Sequence, residues 1–392
     1  MPSFSSALIA WQREHGRHGL PWQRADAYFV WLSEIMLQQT QVTTVIPYYQ
    51  RFVTSFPTIA TLAAASEEQV LAHWSGLGYY ARGRNLHRAA QIIVALHGGE
   101  FPRQFEQILE LPGIGRSTAA AICALAFHER RAILDGNVKR VLARYCGVIG
   151  SPAVKSVELR LWQQAELLLP QSDVASYTQA LMDMGATLCT RSKPNCGSCP
   201  VQAGCAAYQT NRVHELPTPR LRRAVPERRA TFLLVVAGGD ILLEKRGPSG
   251  IWGGLWCLPQ FDDETAALVW CAQQGITTDK IIRHPRPRLP LSGAGCGGKT
   301  SQKGEVSRNG QPDNSIKQCE ALMPFTHTFT HFKLHIAPLL LRLADKPLGV
   351  QQAESVWLDV KDALSAAIPT PVRRLLDGLL TAESTVHAAF RA

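Results

Sequence analysis

The sequence predicts two domains, an all-α domain followed by an α+β domain, and three observations support this fold class. The chain has 392 residues, which is too long for one ordinary domain. Apolar residues recur at helical intervals through the first 210 residues. After a basic stretch at 211–229, the pattern changes to that of short strands. We therefore expect domains at 1–210 and 230–385, joined by a linker.

Charge and hydropathy limit the classes of function that this protein can have. The formal net charge of +10 favours a polyanionic partner such as nucleic acid. A hydrophobic content of 46% is enough for real cores, but no apolar run approaches the roughly 20 residues that span a bilayer. No signal peptide opens the chain. We therefore expect a soluble intracellular protein without a membrane segment.

The helical recurrence in the first domain predicts six helices, with glycine and proline marking the breaks between them. The predicted helices are Ala27–Gln38, Leu86–Leu96, Thr118–Phe127, Val138–Val148, Leu159–Leu169 and Tyr177–Leu188. The stretch at 211–229 is rich in proline and arginine and is typical of an extended basic linker. It is interpreted first as a spacer and second as a segment that also touches phosphates.

Strand signals dominate the second domain. Thr231–Ala237 and Ile241–Lys245 flank Gly238-Gly239-Asp240, which predicts a hairpin. Further elements are expected to be two strands and a closing helix that follows two prolines, at His331–Leu343, Ser355–Val360 and Val372–Leu380. Residues 285 to about 318 are rich in Gly, Pro, Ser, Lys and Asn, so we expect a loosely ordered insertion outside the core.

Four cysteines near the middle of the chain have the spacing C-x6-C-x2-C-x5-C. They are Cys189, Cys196, Cys199 and Cys205. Thiolates this close are explained by disulfides, a tetrahedral zinc site or an iron–sulfur cluster. An intracellular protein disfavours disulfides. Zinc usually takes two separated C-x2-C pairs and only one is present, so the spacing favours a cluster and leaves zinc open.

A glycine-containing turn precedes an alanine-rich helix in the segment LPGIGRSTAAAI. Gly113 and Gly115 permit positive φ, so successive amides can point at one anion. The N-terminus of the following helix adds partial positive charge. The pattern is typical of a helix–hairpin–helix, which holds a DNA phosphate without reading sequence. Asp135 follows in a loop between two later predicted helices.

The hairpin, the aspartate in ILDGNVKR and the four-cysteine loop together resemble the helix–hairpin–helix DNA glycosylases that carry a [4Fe–4S] cluster. Endonuclease III-like members have a hairpin lysine that attacks the sugar as a Schiff-base nucleophile. This chain has Ser117 at the matching position. The segments WLSEIMLQQTQV (Trp31 to Val42) and GLGYYARGRNLH (Gly76 to His87) are similar to the MutY adenine DNA glycosylases. The similarity covers nearly all of residues 7 to 210.

Two carboxylates are the candidates for chemistry, because removal of a purine needs an acid for the base and an anion for an oxocarbenium-like sugar. Glu34 lies in an otherwise apolar helix, where burial raises a carboxyl pKa. Asp135 precedes a helix start, where amides favour the anion. On the residues alone, an exposed helix Glu and an N-cap Asp are the commoner interpretation. The resemblance implies that Glu34 is the acid and base, Asp135 the stabiliser or transient nucleophile, and Asn137 the residue that orients them.

The resemblance also implies DNA contacts, because an adenine must be flipped out of the duplex before it can react. We expect Gln39 and Tyr79 to act as wedges with Thr40 nearby; core-packing tyrosines and solvated glutamines are the alternative. The other DNA-binding residues expected in this domain are Gly113, Gly115, Ser117 and Lys139. A structural cluster is expected to position Arg191 and Lys193 against phosphates.

The second domain resembles the MutT-like (Nudix-fold) domain of MutY proteins, through RRATFLLVV and EKRGPSGIWGGLWCLPQF. The acidic box R-E-x-x-E-E of a working Nudix hydrolase is replaced by DDETAALVWCAQQ, so we expect no nucleotide hydrolysis. In the family a Phe-Ser-His tip checks for oxidised guanine. Phe329, Thr330 and His331 match that tip, with Thr in place of Ser.

The resemblance therefore implies an all-α helix–hairpin–helix glycosylase domain with a [4Fe–4S] loop at 189–205, followed by an α+β Nudix-like domain. The implied function is monofunctional removal of adenine paired with 8-oxoguanine or guanine in base excision repair, which leaves an abasic site. The expected partner is double-stranded DNA with such mispairs, besides other repair proteins. We expect a monomer in a bacterial cytoplasm, at the nucleoid.

Three alternatives stay open at this point. A bifunctional glycosylase/lyase would use Lys139 to trap the abasic aldehyde, and Ser117 argues against it. A non-catalytic damage-binding protein would need neither carboxylate, yet both are present. A Nudix hydrolase would need the missing acidic box.

Overall fold

A computed structural model describes residues 3–24, 26–219, 224–276, 316–347 and 354–389. The chain divides into two compact units, Met1–Arg223 and Ala224–Ala392. Within the described residues no helix is both long and apolar enough to cross a membrane.

The described part of the first unit is helical, with short 3-10 turns at Cys196–Ser198 and Gln202–Gly204. Its helices are α1 (Phe4–His15), α2 (Ala27–Leu37), α3 (Val42–Ser55), α4 (Ile59–Ala64), α5 (Glu67–Trp74), α6 (Ala81–His97), α7 (Phe105–Glu110), α8 (Arg116–Phe127), α9 (Gly136–Tyr145), α10 (Lys155–Leu167), α11 (Val174–Thr187) and α12 (Ala206–Gln209). A core that includes Leu8, Ala121, Leu142, Leu161 and Leu181 packs α1, α8, α9, α10 and α11 together.

All six helices expected in this unit are present, and their ends differ by a few residues. For example, α6 begins at Ala81 rather than Leu86. The sequence missed α3, which contains Pro47, because a proline inside a helix normally marks a break. It also missed α1 and the short helices α4, α5, α7 and α12, the last four of which offer too few turns for a periodic signal.

The second unit contains an eight-stranded mixed sheet in its described part. The strands are β1 (Glu227–Ala237), β2 (Asp240–Lys245), β3 (Trp256–Cys257), β4 (Gln260–Phe261), β5 (Ile316–Ala321), β6 (Phe325–Thr328), β7 (Lys333–Leu343) and β8 (Ser355–Asp359). The order β3-β2-β1-β7-β5 forms the main path, with β4 on β1, β6 on β7 and β8 on β2. Only β1 and β7 pair in parallel among these described strands.

Helices of the second unit are α13 (Glu264–Gln273), α14 (Val360–Ser365) and α15 (Thr370–Ala389). The α13 helix packs under the sheet through Ala267 and Cys271, which lie in one apolar cluster with Leu233 and Leu341. It occupies the segment where a Nudix hydrolase would carry its acidic box.

The predicted β1–β2 hairpin is confirmed, since Ala237 pairs with Asp240 across a turn. Gly238 and Gly239 both have positive φ, at 60° and 93°, which is the conformation that a two-residue hairpin turn requires. The predicted strand from His331 was two residues too long, because residues 331 and 332 belong to a turn that follows the unpredicted β6.

Two predicted loop segments are partly regular. Residues 316–318 of the expected polar insertion begin β5, and the rest of that prediction, 285–315, lies outside the described residues. Residues 227–229 of the expected linker begin β1, where they pair with residues 333–335 of β7. The starts of β5 and β1 are decided by backbone pairing to a neighbouring strand. The local composition does not encode this pairing.

Candidate active site and cysteine-lined pocket

Glu34 lies on α2 between residues of the core. Its helical neighbours Trp31, Leu32, Ile35 and Met36 are all buried. Asp26 caps the start of this helix by accepting a hydrogen bond from the backbone amide of residue 28. Burial and, to a smaller extent, the neighbouring charge of Asp135 together raise the pKa of Glu34 to about 8. The expected direction of this pKa shift is therefore confirmed.

Asp135 caps α9, in the loop that follows α8. Its Oδ1 accepts a hydrogen bond of 2.7 Å from the backbone amide of Val138, as the sequence predicted. Burial nevertheless raises the pKa of Asp135 overall. The amides of Val138 and Asn137 and the cations of Arg140 and Lys139 oppose that rise and favour the anion. The amides at the helix start therefore stabilise the Asp135 anion, but by less than burial destabilises it. The sequence did not show this balance.

Ser117 connects the hairpin helix to the loop that carries Asp135. Its Oγ accepts a hydrogen bond of 2.9 Å from the backbone amide of Leu134, one residue before Asp135. The hydroxyl therefore fixes the position of this loop against α8. The sequence assigned Ser117 to DNA binding, whereas the structure engages its side chain within the protein.

Asn137 is held by an arginine that sequence reasoning missed. Arg140 Nη2 donates to Asn137 Oδ1 at 2.9 Å and to the carbonyl of Gly185 at 2.5 Å. Its Nε donates to the carbonyl of Cys189 at 2.7 Å. A Cβ at Gly185 would lie 2.6 Å from the Cβ of Asn137, so α9 and α11 approach closely only because residue 185 is glycine. One guanidinium thus joins Asn137 to the first of the four cysteines.

The hairpin glycines differ in conformation. Gly113 has φ +82°, and a Cβ there would lie 3.0 Å from the Cβ of Asn85 on α6. Gly115 has an extended backbone (φ −100°) and is the exposed N-cap of α8. The expectation of positive φ is correct for Gly113 and wrong for Gly115, whose amide instead begins the helix. Gln38 Nε2 reaches the carbonyl of Gly113 at 3.4 Å and so links α2 to this turn.

The two expected wedge residues share an uncommon backbone conformation. Gln39 has φ 58° and Tyr79 has φ 51°, both in the left-handed region. Both side chains are exposed, and 43% of Tyr79 is accessible. Thr40 lies beside Gln39 and accepts a hydrogen bond of 3.1 Å from Arg82, which the sequence analysis did not single out. Exposure excludes the core-packing alternative for Tyr79.

Lys139 lies on α9 with its ammonium group already engaged. Its Nζ forms an ion pair of 2.5 Å with Glu158 on α10. An amine engaged by a carboxylate in this way is poorly placed to attack an aldehyde.

The four cysteines line one pocket between α9, α11 and the 3-10 turns. The other walls are mainly apolar and include Val141, Leu188, Val201 and Val213. Burial raises the pKa of Cys196, Cys199 and Cys205, and mutual repulsion with the Cys189 thiolate raises each further. Thiolates gathered in this way need a positively charged group to offset their repulsion.

The four thiols that line this pocket are a donor set that an iron–sulfur cluster can use. Backbone amides at Val201 and Ala207 favour the thiolate forms of Cys199 and Cys205. Arg144, which is 2% exposed, donates from Nη1 to Cys189 Sγ at 3.3 Å. Amide and guanidinium donors to sulfur are typical of thiolates that hold an iron–sulfur cluster.

The second unit presents the expected tip at the turn between β6 and β7. The amide of Phe329 donates to the carbonyl of Phe332 at 2.9 Å, which closes the turn. Their rings stack with centroids 4.4 Å apart. This stacking leaves Thr330 and His331 exposed at the apex. The phenyl ring of Phe329 thus anchors the turn, and the role of the three residues in lesion recognition stays a prediction.

Comparisons with known proteins identify the family. Residues 32–166 match the HhH-GPD superfamily base excision DNA repair proteins, and residues 230–290 match the NUDIX domain. The adenine DNA glycosylase of Buchnera aphidicola subsp. Acyrthosiphon pisum (strain APS) is 35% identical over 376 residues, covering 95% of this chain and 97% of that protein. The chain belongs to the adenine DNA glycosylase family. The human adenine DNA glycosylase is 42% identical over 429 residues, covering 95% of this chain and 73% of the human protein.

A solved structure of a thermostable thymine-DNA glycosylase is also similar, with 28% identity and a TM-score of 0.48, covering 53% of this chain and 95% of that one. Family membership makes the chain a MutY-type DNA N-glycosylase that removes adenine from DNA in base excision repair. The expected helix–hairpin–helix domain and Nudix-like domain are both confirmed.

Three arginines of this adenine DNA glycosylase family member were not predicted from the sequence. They are Arg82, Arg140 and Arg144, and the guanidinium of each is directed at backbone carbonyls. Arg140 and Arg144 are spaced four residues apart on α9, so they lie on one face of it. The sequence signal that could have identified them is an arginine at a position that the helical pattern places on the buried face.

Proposed function

We propose that this enzyme removes adenine paired with 8-oxoguanine, and with guanine, by acid-assisted hydrolysis, and that it leaves an unbroken strand with an abasic site. The observation that carries the proposal is the pair formed by Glu34 and Asp135. A half-buried carboxyl with a pKa near 8 is protonated at neutral pH, and it lies within electrostatic reach of a second carboxylate held by two amides. These are an acid and an anion in unlike environments.

Glu34 supplies the proton in this mechanism. It protonates a ring nitrogen of the flipped adenine, and the C1′–N bond breaks with its electron pair leaving on the base. Asp135 stabilises the positive charge that develops on the sugar. The Glu34 carboxylate then takes a proton from water, whose hydroxide adds to C1′. Neutral adenine leaves, and Glu34 regains its starting proton.

Four groups around the second carboxyl favour its charge against the cost of burial, which raises the pKa of Asp135 overall. Arg140 and Lys139 both favour the Asp135 anion, as do the amides of Val138 and Asn137. Since the two carboxyls repel each other when both are ionised, the proton on Glu34 and the charge on Asp135 support each other. Asn137 completes the arrangement, because Arg140 fixes its amide oxygen and leaves its amide nitrogen for a substrate or water.

The reaction is proposed to be monofunctional. A lyase needs an amine that forms a Schiff base with the sugar. The hairpin position holds Ser117, whose hydroxyl is bonded to the Leu134 amide. Lys139 is paired with Glu158. Both observations support cleavage of the glycosidic bond without breakage of the strand.

DNA is proposed to lie along the hairpin and the two wedge loops. The amides of Gly113 and Gly115 at the start of α8 suit a phosphate. Gln39 and Tyr79, exposed and in left-handed conformations, suit insertion into the gap left by the flipped base. Thr40 lies at the base of the first wedge.

The four cysteines are proposed to hold a [4Fe–4S] cluster of structural function. Cys189, Cys196, Cys199 and Cys205 would be its ligands, and the bound cluster would supply a rigid cross-link between the end of α11 and the loop after it. Arg140 and Arg144 both bind to the Cys189 region from α9. Anchoring this region keeps Arg140 in place, and Arg140 keeps Asn137 in place.

The tip of the second unit is proposed to recognise the oxidised guanine. Thr330 offers a hydroxyl and His331 an imidazole at an exposed turn, while Phe329 holds that turn on Phe332. Both polar groups suit hydrogen bonds to a lesion base. No hydrolysis of nucleotides is proposed, because α13 carries Glu264 as its one acidic residue.

The test is single-turnover adenine release from duplexes that contain 8-oxoguanine:A, G:A or T:A, with and without alkali. We expect rapid release from 8-oxoguanine:A, slower release from G:A and strand breakage only after alkali. Glu34→Gln should abolish release and retain binding. Nicking without alkali would show a lyase, and tight binding without release by the wild type would show a damage-binding protein instead.

A further inference from the structure

One buried side chain connects the two wedge loops with the helix that carries Glu34. Arg82 lies on the first turn of α6, three residues after Tyr79. Its Nη1 donates to the carbonyls of Ile35 and Met36, at 2.9 and 2.8 Å, near the C-terminus of α2. The same nitrogen donates to the carbonyl of Gln38 at 2.5 Å, one residue before the first wedge.

The other terminal nitrogen of Arg82 completes the connection. Nη2 donates to Thr40 Oγ1 at 3.1 Å, one residue after the Gln39 wedge. It also donates to the carbonyl of Gly78 at 3.1 Å, one residue before the Tyr79 wedge. The guanidinium carbon lies 5.3 Å from the centre of the Tyr79 ring. Both wedges are therefore flanked on the chain by groups that bind one guanidinium.

The backbone at both wedges needs such support. Gln39 and Tyr79 occupy the left-handed region, which costs a residue other than glycine about 1–3 kcal/mol and persists only where surrounding contacts hold it. The carbonyls at the end of α2 have no partner within their own helix. Arg82 satisfies these carbonyls and fixes the loop that begins where the helix ends.

A guanidinium in this position carries its own cost. Burial lowers the pKa of Arg82 to about 10, and its Nε is buried without a hydrogen-bond partner among the described residues. The oxygens that it binds belong to carbonyls and a hydroxyl of separate segments. If this position only needed to be filled, an apolar side chain would fill it without the cost of burying a charge. The junction uses the N–H donors of both terminal nitrogens, which the planar guanidinium holds in fixed directions.

We propose that Arg82 is a positioning residue that holds the Gln39 and Tyr79 wedges and the C-terminus of α2 as one rigid unit, so that both wedges enter the duplex together. The inference rests on the proposed function, since it concerns how that enzyme extrudes its base. Arg82 acts before the chemical step and through the wedges. Its loss is therefore expected to slow base flipping, with Glu34 chemistry slowed only in consequence.

The experiment follows flipping separately from cleavage. A duplex with 2-aminopurine opposite 8-oxoguanine is mixed with the full-length protein, and the rise in fluorescence reports unstacking of the probe. Single-turnover adenine release is measured in parallel on the matched adenine duplex. The variants are Arg82→Met, which removes every donor, and Arg82→Lys, which keeps the charge but cannot bridge the segments. Arg130→Met is the matched control, because Arg130 also donates to two backbone carbonyls, those of Leu169 and Pro170.

Arg82→Met is expected to slow the fluorescence rise by about 100-fold, the loss typical of a displaced positioning group, and Arg82→Lys is expected to fall between it and the wild type. Release should slow by the same factor, and Arg130→Met should leave both rates unchanged. Glu34→Gln should keep the fluorescence rise and lose only release. If Arg82→Met does not fold, as judged by its melting curve, the decision rests on Arg82→Lys.

Three results would overturn the inference: a wild-type flipping rate in the decisive Arg82 variant, loss of release without slower flipping, or equal slowing in Arg130→Met. The proposed function fails in a different way, namely when the wild type flips the probe but releases no adenine. In that case the comparison of flipping rates still decides the role of Arg82. A wild type that neither flips nor releases would overturn both.

Discussion

The hydroxyl of Ser117 accepts a hydrogen bond of 2.9 Å from the amide of Leu134, and this bond fixes the chain one residue before Asp135. Ser117→Ala leaves that amide without its partner, which costs about 1–3 kcal/mol where the donor is buried. We expect a lower melting temperature and adenine release slowed by about 10- to 100-fold through displacement of Asp135. Ser117→Thr retains the hydroxyl and should stay close to wild type. Equal rates for the Ala and wild-type enzymes would show that the loop is held by other contacts.

The pH dependence of release should follow Glu34. Its pKa is raised to about 8, so the catalytic acid is protonated below that pH and is lost above it. Single-turnover rates on 8-oxoguanine:A should therefore be flat from pH 6 to about 7.5 and fall above about pH 8. A decline that begins near pH 5 would mean that Glu34 is ionised at neutral pH and is not the acid.

The free energy of unfolding should also depend on pH through Glu34, and the sign of this dependence follows from the raised pKa. Between the ordinary pKa of 4.5 and about 8, the unfolded chain has lost the Glu34 proton and the folded chain retains it. The free energy of unfolding therefore falls as pH rises through this window. Glu34→Gln removes the titration, so the variant should be increasingly more stable than wild type from pH 5 to pH 8, and the difference should be constant above. Urea unfolding at three pH values measures it; a pH-independent difference would contradict the raised pKa.

Gly185 provides a steric test of the Asn137 position. A Cβ at residue 185 would lie 2.6 Å from the Cβ of Asn137, so Gly185→Ala must push α9 away from α11. We expect a loss of stability of about 1–3 kcal/mol, typical of overpacking, and slower adenine release. Gly378→Ala on α15 is the matched control. It meets no atom within 4 Å and should raise stability by up to about 1 kcal/mol through helix propensity. A Gly185→Ala enzyme with wild-type release would show that Asn137 tolerates displacement.

The cysteine-lined pocket predicts the metal content of the protein. We expect about four irons per chain and visible absorbance, as a [4Fe–4S] cluster requires. Cys199→Ser should lower both the iron content and the melting temperature. Cys319→Ser in the second unit should leave the iron content unchanged, because Cys319 lies outside the pocket. Purified protein that contains zinc without iron would overturn this assignment.

Much of the site was available from the sequence because its residues lie close together along the chain. Glu34, Gln39 and Thr40 fall in one stretch, Gly113 to Ser117 in another, and the four cysteines in a third. Local pattern and chemistry were enough to select them. The β1–β2 hairpin was predicted for the same reason, since its turn is encoded by two glycines next to each other.

Only the tertiary structure decided how these stretches support one another. The contacts of Arg82 with residues 35 to 40, of Ser117 with Leu134 and of Arg140 with Cys189 join segments between 17 and 49 residues apart in the chain. The net rise of the Asp135 pKa likewise depends on burial by distant residues, which outweighs the local amides that the sequence revealed. A linear pattern encodes neighbours along the chain, whereas burial and guanidinium bridges depend on neighbours in space. The sequence alone thus selected the residues that are proposed to carry the chemistry, and the fold determined what holds them and what shifts their pKa values.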